Sequence, residues 1–142
     1  MKLKSPILLC LSLLSVSVVG GICRAADEPP VDFVRQIKPI LADRCVACHN
    51  SETLLGELNF QSRELMMHKR KGGPVIVPGK PDESPMYRVL TLPVEAKKAM
   101  PATAHRLPKS DIAVVRQWIV EGAHWPEGKE GAVPAPQKPK VE

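Results

Sequence analysis

Cys45-Val46-Ala47-Cys48-His49 is the stretch of this 142-residue chain whose residue types and spacing define a specific chemistry. Two thiols separated by two residues can each add across one vinyl group of a single haem, giving two thioethers. The adjacent histidine is then held beneath the porphyrin with a ring nitrogen for the iron. The expected cofactor is therefore one covalent haem c, attached at Cys45 and Cys48, with His49 as an iron ligand. Two other chemistries use a Cys-x-x-Cys pair. A zinc centre needs about four ligands, and after Cys48 the chain has neither a second cysteine pair nor two histidines three to five residues apart. A thioredoxin-like dithiol expects a βαβ setting, whereas this sequence reads as helices joined by proline-rich loops.

The elements that must position the motif follow from the apolar pattern. Asp32 can cap a helix whose apolar residues Phe33, Val34, Ile37, Ile40 and Leu41 recur at spacings of three and four. Pro39 lies inside that run, so a kink or a restart is expected there. Ser51 to Asn59 reads as a loop, and Ser62 offers an N-cap for a helix through about Met67. Gly72, Gly73, Pro74, Pro78, Gly79 and Pro81 break regular structure around Val75 to Val77. Ser84-Pro85 starts another helix, carrying Met86, Tyr87, Val89 and Leu90 and ending before Pro93. Glu95 to Leu107 reads as a loop around Met100-Pro101. The last helix carries the stripe Ile112, Val115, Trp118 and Ile119, with Gly122 suited to its C-terminal turn. From Glu127 the composition shifts to Pro, Lys, Glu and Ala, and residues 127–142 are expected to be a disordered tail. The fold class expected is all-α, three to four helices around one haem.

The N-terminus has the order of a secretory signal: Lys2 and Lys4, an uncharged apolar run from Pro6 to Val19, then small residues to Ala25 and Ala26. The run is short for a spanning helix, which needs about 20 apolar residues. Residues 1–26 are thus expected to be a signal peptide ahead of a domain at 27–126, and the mature protein to be periplasmic or otherwise exported, with no membrane span. Cys23 raises the alternative of lipidation, but Ile22 occupies the preceding position, where such signals carry a small residue. Cleavage would remove Lys2, Lys4 and Arg24 and no acidic residue, so the formal charge of +5 falls by three. Nucleic acid is not an implied partner. Cleavage would also remove Cys10 and Cys23, leaving Cys45 and Cys48 as the only thiols and excluding a disulfide framework.

The haem motif after the amphipathic segment Phe33 to Leu41, the stretch Gly73-Pro74-Val75-Ile76-Val77-Pro78-Gly79-Lys80-Pro81, the Met100-Pro101 pair and the Trp118-to-Gly122 helix end together resemble the planctomycete-type cytochrome c-like domain. The resemblance covers roughly residues 31–126. It implies a class I arrangement in which a distal methionine from the loop before the last helix completes the iron coordination. Met100 matches that position. His105, in the same loop, is the rival ligand. Met86 sits on a helix face suited to packing, and Met66 and Met67 close a polar helix. His68 and His124 read as solvent-exposed or structural. The resemblance also places Trp118 against Phe33 beside the haem.

His68, Lys69, Arg70 and Lys71 form a basic run that could dock an acidic redox protein partner or simply face solvent. Gly72 to Pro81 lacks the GxxxxGK spacing of a phosphate loop. No general acid, base or nucleophile constellation stands out, so the expected role is electron transfer by a carrier and not catalysis. Two alternatives remain open: a haem sensor or peroxidase-like protein with an open or bis-His sixth site, and an interaction module whose haem is structural.

Overall fold

The computed structural model describes residues 28–67 and 70–135. The expected signal peptide, His68, Lys69 and the last seven residues lie outside them. Among the described residues every regular element is helical and there is no strand, so the all-α expectation holds.

Asp32 caps the first helix, its carboxylate accepting from the Arg35 N–H at 3.0 Å. The helix opens as a wide π-helical stretch, Phe33–Ile37, and tightens into α1, Lys38–Arg44. Pro39 sits in the first turn of α1 and has no N–H to give to the preceding turn. The Lys38 N–H reaches back to the Phe33 carbonyl instead, which is the restart expected at this proline. Phe33, Ile37 and Leu41 fall four apart on the buried face.

Ser62 caps the short helix α2, Arg63–Met66, accepting from Leu65 N–H. Met66 is buried in the core while Met67 is exposed. This corrects the reading of both as the end of a polar helix, because α2 turns its last residue into the core cluster that also holds Phe60 and Ile76. Helix α3, Pro85–Thr91, begins at Ser84-Pro85 and buries Met86 and Leu90. Ser84 is fully buried, and its hydroxyl does not cap α3. It accepts from Val77 N–H at 2.8 Å and donates to the Lys80 carbonyl at 2.9 Å, closing the Pro-Gly loop on itself.

Helix α4, Lys109–Val120, buries Val115, Trp118 and Ile119. It ends in a Schellman turn, with Ala123 N–H on the Trp118 carbonyl and Gly122 N–H on that of Ile119. Gly122 takes φ 100°, which only glycine adopts cheaply. Trp118 packs on Phe33 with centroids 6.0 Å apart, and Trp125 completes the cluster at 4.7 Å from Phe33 and 6.1 Å from Trp118.

The disordered tail expected from Glu127 is corrected up to Ala135. Residues Gly128–Gly131 form a helical turn, α5. Val133 is 2 % exposed and donates its N–H to the Gln61 carbonyl, and the Trp125 indole N–H donates to the Gly131 carbonyl at 2.8 Å. Lys38 Nζ donates to the Lys129 and Glu130 carbonyls. A lone valine in a Pro-Lys-Glu segment gives no periodic signal, yet one apolar side chain suffices when it falls on an existing core.

Candidate haem site

The last carbonyls of α1 launch the motif. Cys45 and Val46 N–H both bond the Leu41 carbonyl, and a second turn follows in which Cys48 and His49 N–H bond the Cys45 carbonyl at 3.2 and 3.0 Å. That tight turn places Val46 in the core and leaves Cys45 half-buried, Cys48 exposed and His49 half-buried. The two cysteines are free thiols. Burial, reinforced by the neighbouring Cys48, pushes the Cys45 thiol up to about 12.

Asn50 locks this turn from beneath. It is buried, donates to the Val46 and Ala47 carbonyls at 2.7 and 3.3 Å, and accepts from the N–H groups of Glu52 and Thr53. Gln61 ties the next residues down, its side-chain oxygen accepting from both the N–H and the hydroxyl of Ser51 at 2.8 Å.

His49 has the most defined setting in the site. Its Nδ1 lies 2.7 Å from the Leu55 carbonyl oxygen. A carbonyl can only accept, so Nδ1 carries the proton and Nε2 keeps a free lone pair for a metal. Leu54 at φ 39°, Gly56 at φ 69° and Glu57 at φ 58° turn the chain so that this carbonyl faces the ring. Phe60 stands edge-on to the imidazole at 5.7 Å, and its N–H bonds the His49 carbonyl. Two thiols, an imidazole with its proton fixed on the far nitrogen and an apolar wall form the donor set that covalent haem requires. The residues present therefore fit the group.

Met100 is half-buried against the hydrophobic core. Its N–H bonds the Val89 carbonyl at 2.9 Å, fastening the loop to α3. Arg106 holds the same loop from the other side, donating to the carbonyls of Pro101 (3.1 Å), Leu90 (3.1 Å) and Leu92 (3.2 Å). His105 and His124 are exposed, and the His124 carbonyl accepts from the Trp118 indole N–H. Met86 is buried in packing, as its helix face suggested. Arg70 is not a free surface cation within the basic run: its guanidinium donates to the Gly73 and Gly56 carbonyls.

A groove of about 500 Å³ lies between the first helix and α4, lined by residues including Ile40, Asp43, Arg44 and Asp111, and none of Cys45, Cys48, His49 or Met100 lines it. Donor chemistry, and not cavity size, marks the site. Sequence reading did not anticipate the Leu55 carbonyl, Asn50, Phe60 or Arg106. Only Asn50, one residue past the motif, lies where a sequence signal could have pointed.

Fold and site together define a small all-α domain built around a CxxCH haem-attachment motif. Residues 45–102 match the family model described as Planctomycete cytochrome C, the family that the sequence resembles. The chain is cytochrome c-like over that segment, and a likeness to that family implies covalently bound haem. No curated protein and no solved structure matches the chain.

Proposed function

We propose that the protein is an exported mono-haem c-type cytochrome that carries electrons to or from a redox protein partner and is not itself an enzyme. When bound, a c-type haem supplies a one-electron couple at its iron. Cys45 and Cys48 hold it as thioethers, His49 Nε2 ligates the iron and the Met100 sulfur takes the sixth position. The observation that carries this reading is the 2.7 Å contact of His49 Nδ1 with the Leu55 carbonyl, directly after the two thiols. A backbone acceptor on the far nitrogen fixes the tautomer and the ring plane and raises the basicity of the ligating nitrogen. Thioether sulfur from Met100 would favour ferrous iron and raise the potential relative to bis-His ligation.

The test is a pyridine haemochrome spectrum with intact mass on the chain co-expressed with haem-attachment machinery. One covalent haem per chain that cycles rapidly and reversibly with small mediators is the expected result. A colourless protein of bare polypeptide mass sinks the haem assignment. A bound haem that mediators cannot reduce or reoxidise sinks electron transfer and favours a structural role.

A further inference from the structure

The bend that brings the Leu55 carbonyl to His49 is held in an unfavourable shape. Leu54 and Glu57 take φ 39° and 58°, the left-handed region that L side chains occupy only where the surroundings hold them there. Inside the bend the Glu57 N–H bonds the Leu54 carbonyl at 3.0 Å, and the Leu55 N–H reaches the Cys48 carbonyl at 3.3 Å. A bend left to those two contacts would relax, and the 2.7 Å approach of the Leu55 carbonyl oxygen to His49 Nδ1 would lengthen with it. What braces it lies at its two ends.

Arg70 braces the far end, donating to the Gly56 carbonyl at 3.2 Å. Asn50 braces the near end and does more there. It is 7 % exposed, and both halves of its amide are bonded. Nδ2 donates to the Val46 and Ala47 carbonyls, and Oδ1 accepts from the Glu52 and Thr53 N–H groups at 2.8 and 3.0 Å. The backbone carbonyl of Asn50 takes the Leu54 N–H at 2.9 Å. A single buried amide thus ties the turn carrying Cys45 and Cys48 to the chain entering Leu54. The task needs a donor and an acceptor together; an aspartate would lack the donor and a leucine would lack both. None of these bonds reaches His49, so the influence of Asn50 on the imidazole passes through Leu55.

We propose that Asn50 is the positioning residue for His49: by bracing the bend it sets how strongly the Leu55 carbonyl draws on Nδ1–H, and through that the midpoint potential; this rests on the haem reading above. A strong pull on the far nitrogen makes the ligating nitrogen more basic, which favours ferric iron and holds the potential down. A looser bend weakens the pull, and the potential rises.

The experiment compares Asn50→Ala with the wild type as holoproteins. The variant is expected to show a higher midpoint potential. In the ferrous state its His49 Nδ1–H, followed by ¹⁵N-edited NMR, should exchange with solvent about tenfold faster, as when a local opening loses one of its supports. Ser84→Ala is the control for destabilisation as such, because its bonds lie in the Pro-Gly loop: it should lower thermal stability and leave both readings at their wild-type values. If Asn50→Ala carries covalent haem and either reading equals the wild type, the proposal is overturned, the haem assignment stands and the Arg70 bond to Gly56 is the brace that matters. Should Asn50→Ala not fold, the wild-type holoprotein decides. There the Glu52 and Thr53 N–H groups and His49 Nδ1–H should exchange through one opening with one urea dependence, and separate openings overturn the proposal. A wild-type chain that takes no haem overturns both readings.

Discussion

The Val133 N–H donates to the Gln61 carbonyl at 2.8 Å, while the side chain of Gln61 holds Ser51, two residues beyond the expected iron ligand. A segment whose composition reads as a tail is thereby joined to the loop behind the haem motif. Ending the chain at Pro126 removes the buried Val133 and strips the Trp125 indole N–H of its acceptor. Burial of one valine and one orphaned donor together put the expected loss at about 3 kcal/mol. Thermal unfolding of the truncated holoprotein checks this, and an unchanged midpoint would return residues 127–135 to the status of a dispensable tail.

Met100 and Arg106 should separate ligation from support. Met100→Ala is expected to abolish the weak red-edge sulfur-to-iron band of the ferric protein and to lower its potential. Arg106→Ala leaves the sulfur in place but frees the Pro101, Leu90 and Leu92 carbonyls, so the band should weaken or broaden without vanishing. A band insensitive to Met100→Ala removes the methionine from the coordination sphere and returns His105 to consideration.

Ser84 is fully buried, and its hydroxyl satisfies Val77 N–H and the Lys80 carbonyl. Ser84→Ala leaves the Val77 N–H without a partner, while the Lys80 carbonyl still accepts from the Glu83 N–H, and is expected to cost about 1–3 kcal/mol. Urea denaturation of the holoprotein measures it; a loss below the resolution of that experiment would mean that the Pro-Gly loop holds its shape without the hydroxyl.

The Cys45 thiol, raised from the ordinary 9.0 to about 12 by burial and then by Cys48, stays neutral in the folded chain through the range where an unfolded thiol ionises. The thiolate is the nucleophile. In native buffer the haem-free chain should therefore be alkylated at exposed Cys48 well before Cys45, and the Cys45 rate should still be climbing steeply at about pH 10, below its raised value. Peptide mapping after timed iodoacetamide treatment reads this out. Urea should make the two rates converge, and equal rates in native buffer would show that the motif is not folded before haem arrives.

Much of the scaffold was legible because its signals are local. Asp32 and Ser62 cap the helices they precede, Ser84-Pro85 begins α3, and Gly122 ends α4. The Phe33 and Trp118 pairing followed from the family resemblance. What escaped was distant in sequence or built from main chain. Arg106 looks like any surface cation until α3 presents its carbonyls. Val133 has no periodic neighbours to announce it. The Leu55 acceptor has no side-chain signature, because every residue owns a carbonyl and only the left-handed turns at Leu54, Gly56 and Glu57 aim this one.

That last feature bears on how such a protein can diverge. Where the outer partner of a ligand histidine is a carboxylate or an amide side chain, a single codon change retunes the metal. Here the acceptor is part of the peptide itself, so substitution at Leu55 leaves the bond intact, and only remodelling the bend around it alters the push on the imidazole. Lineages carrying this device are expected to adjust their potential elsewhere, at the sixth position or in the charges about the porphyrin rim, while the proximal side stays electronically constant.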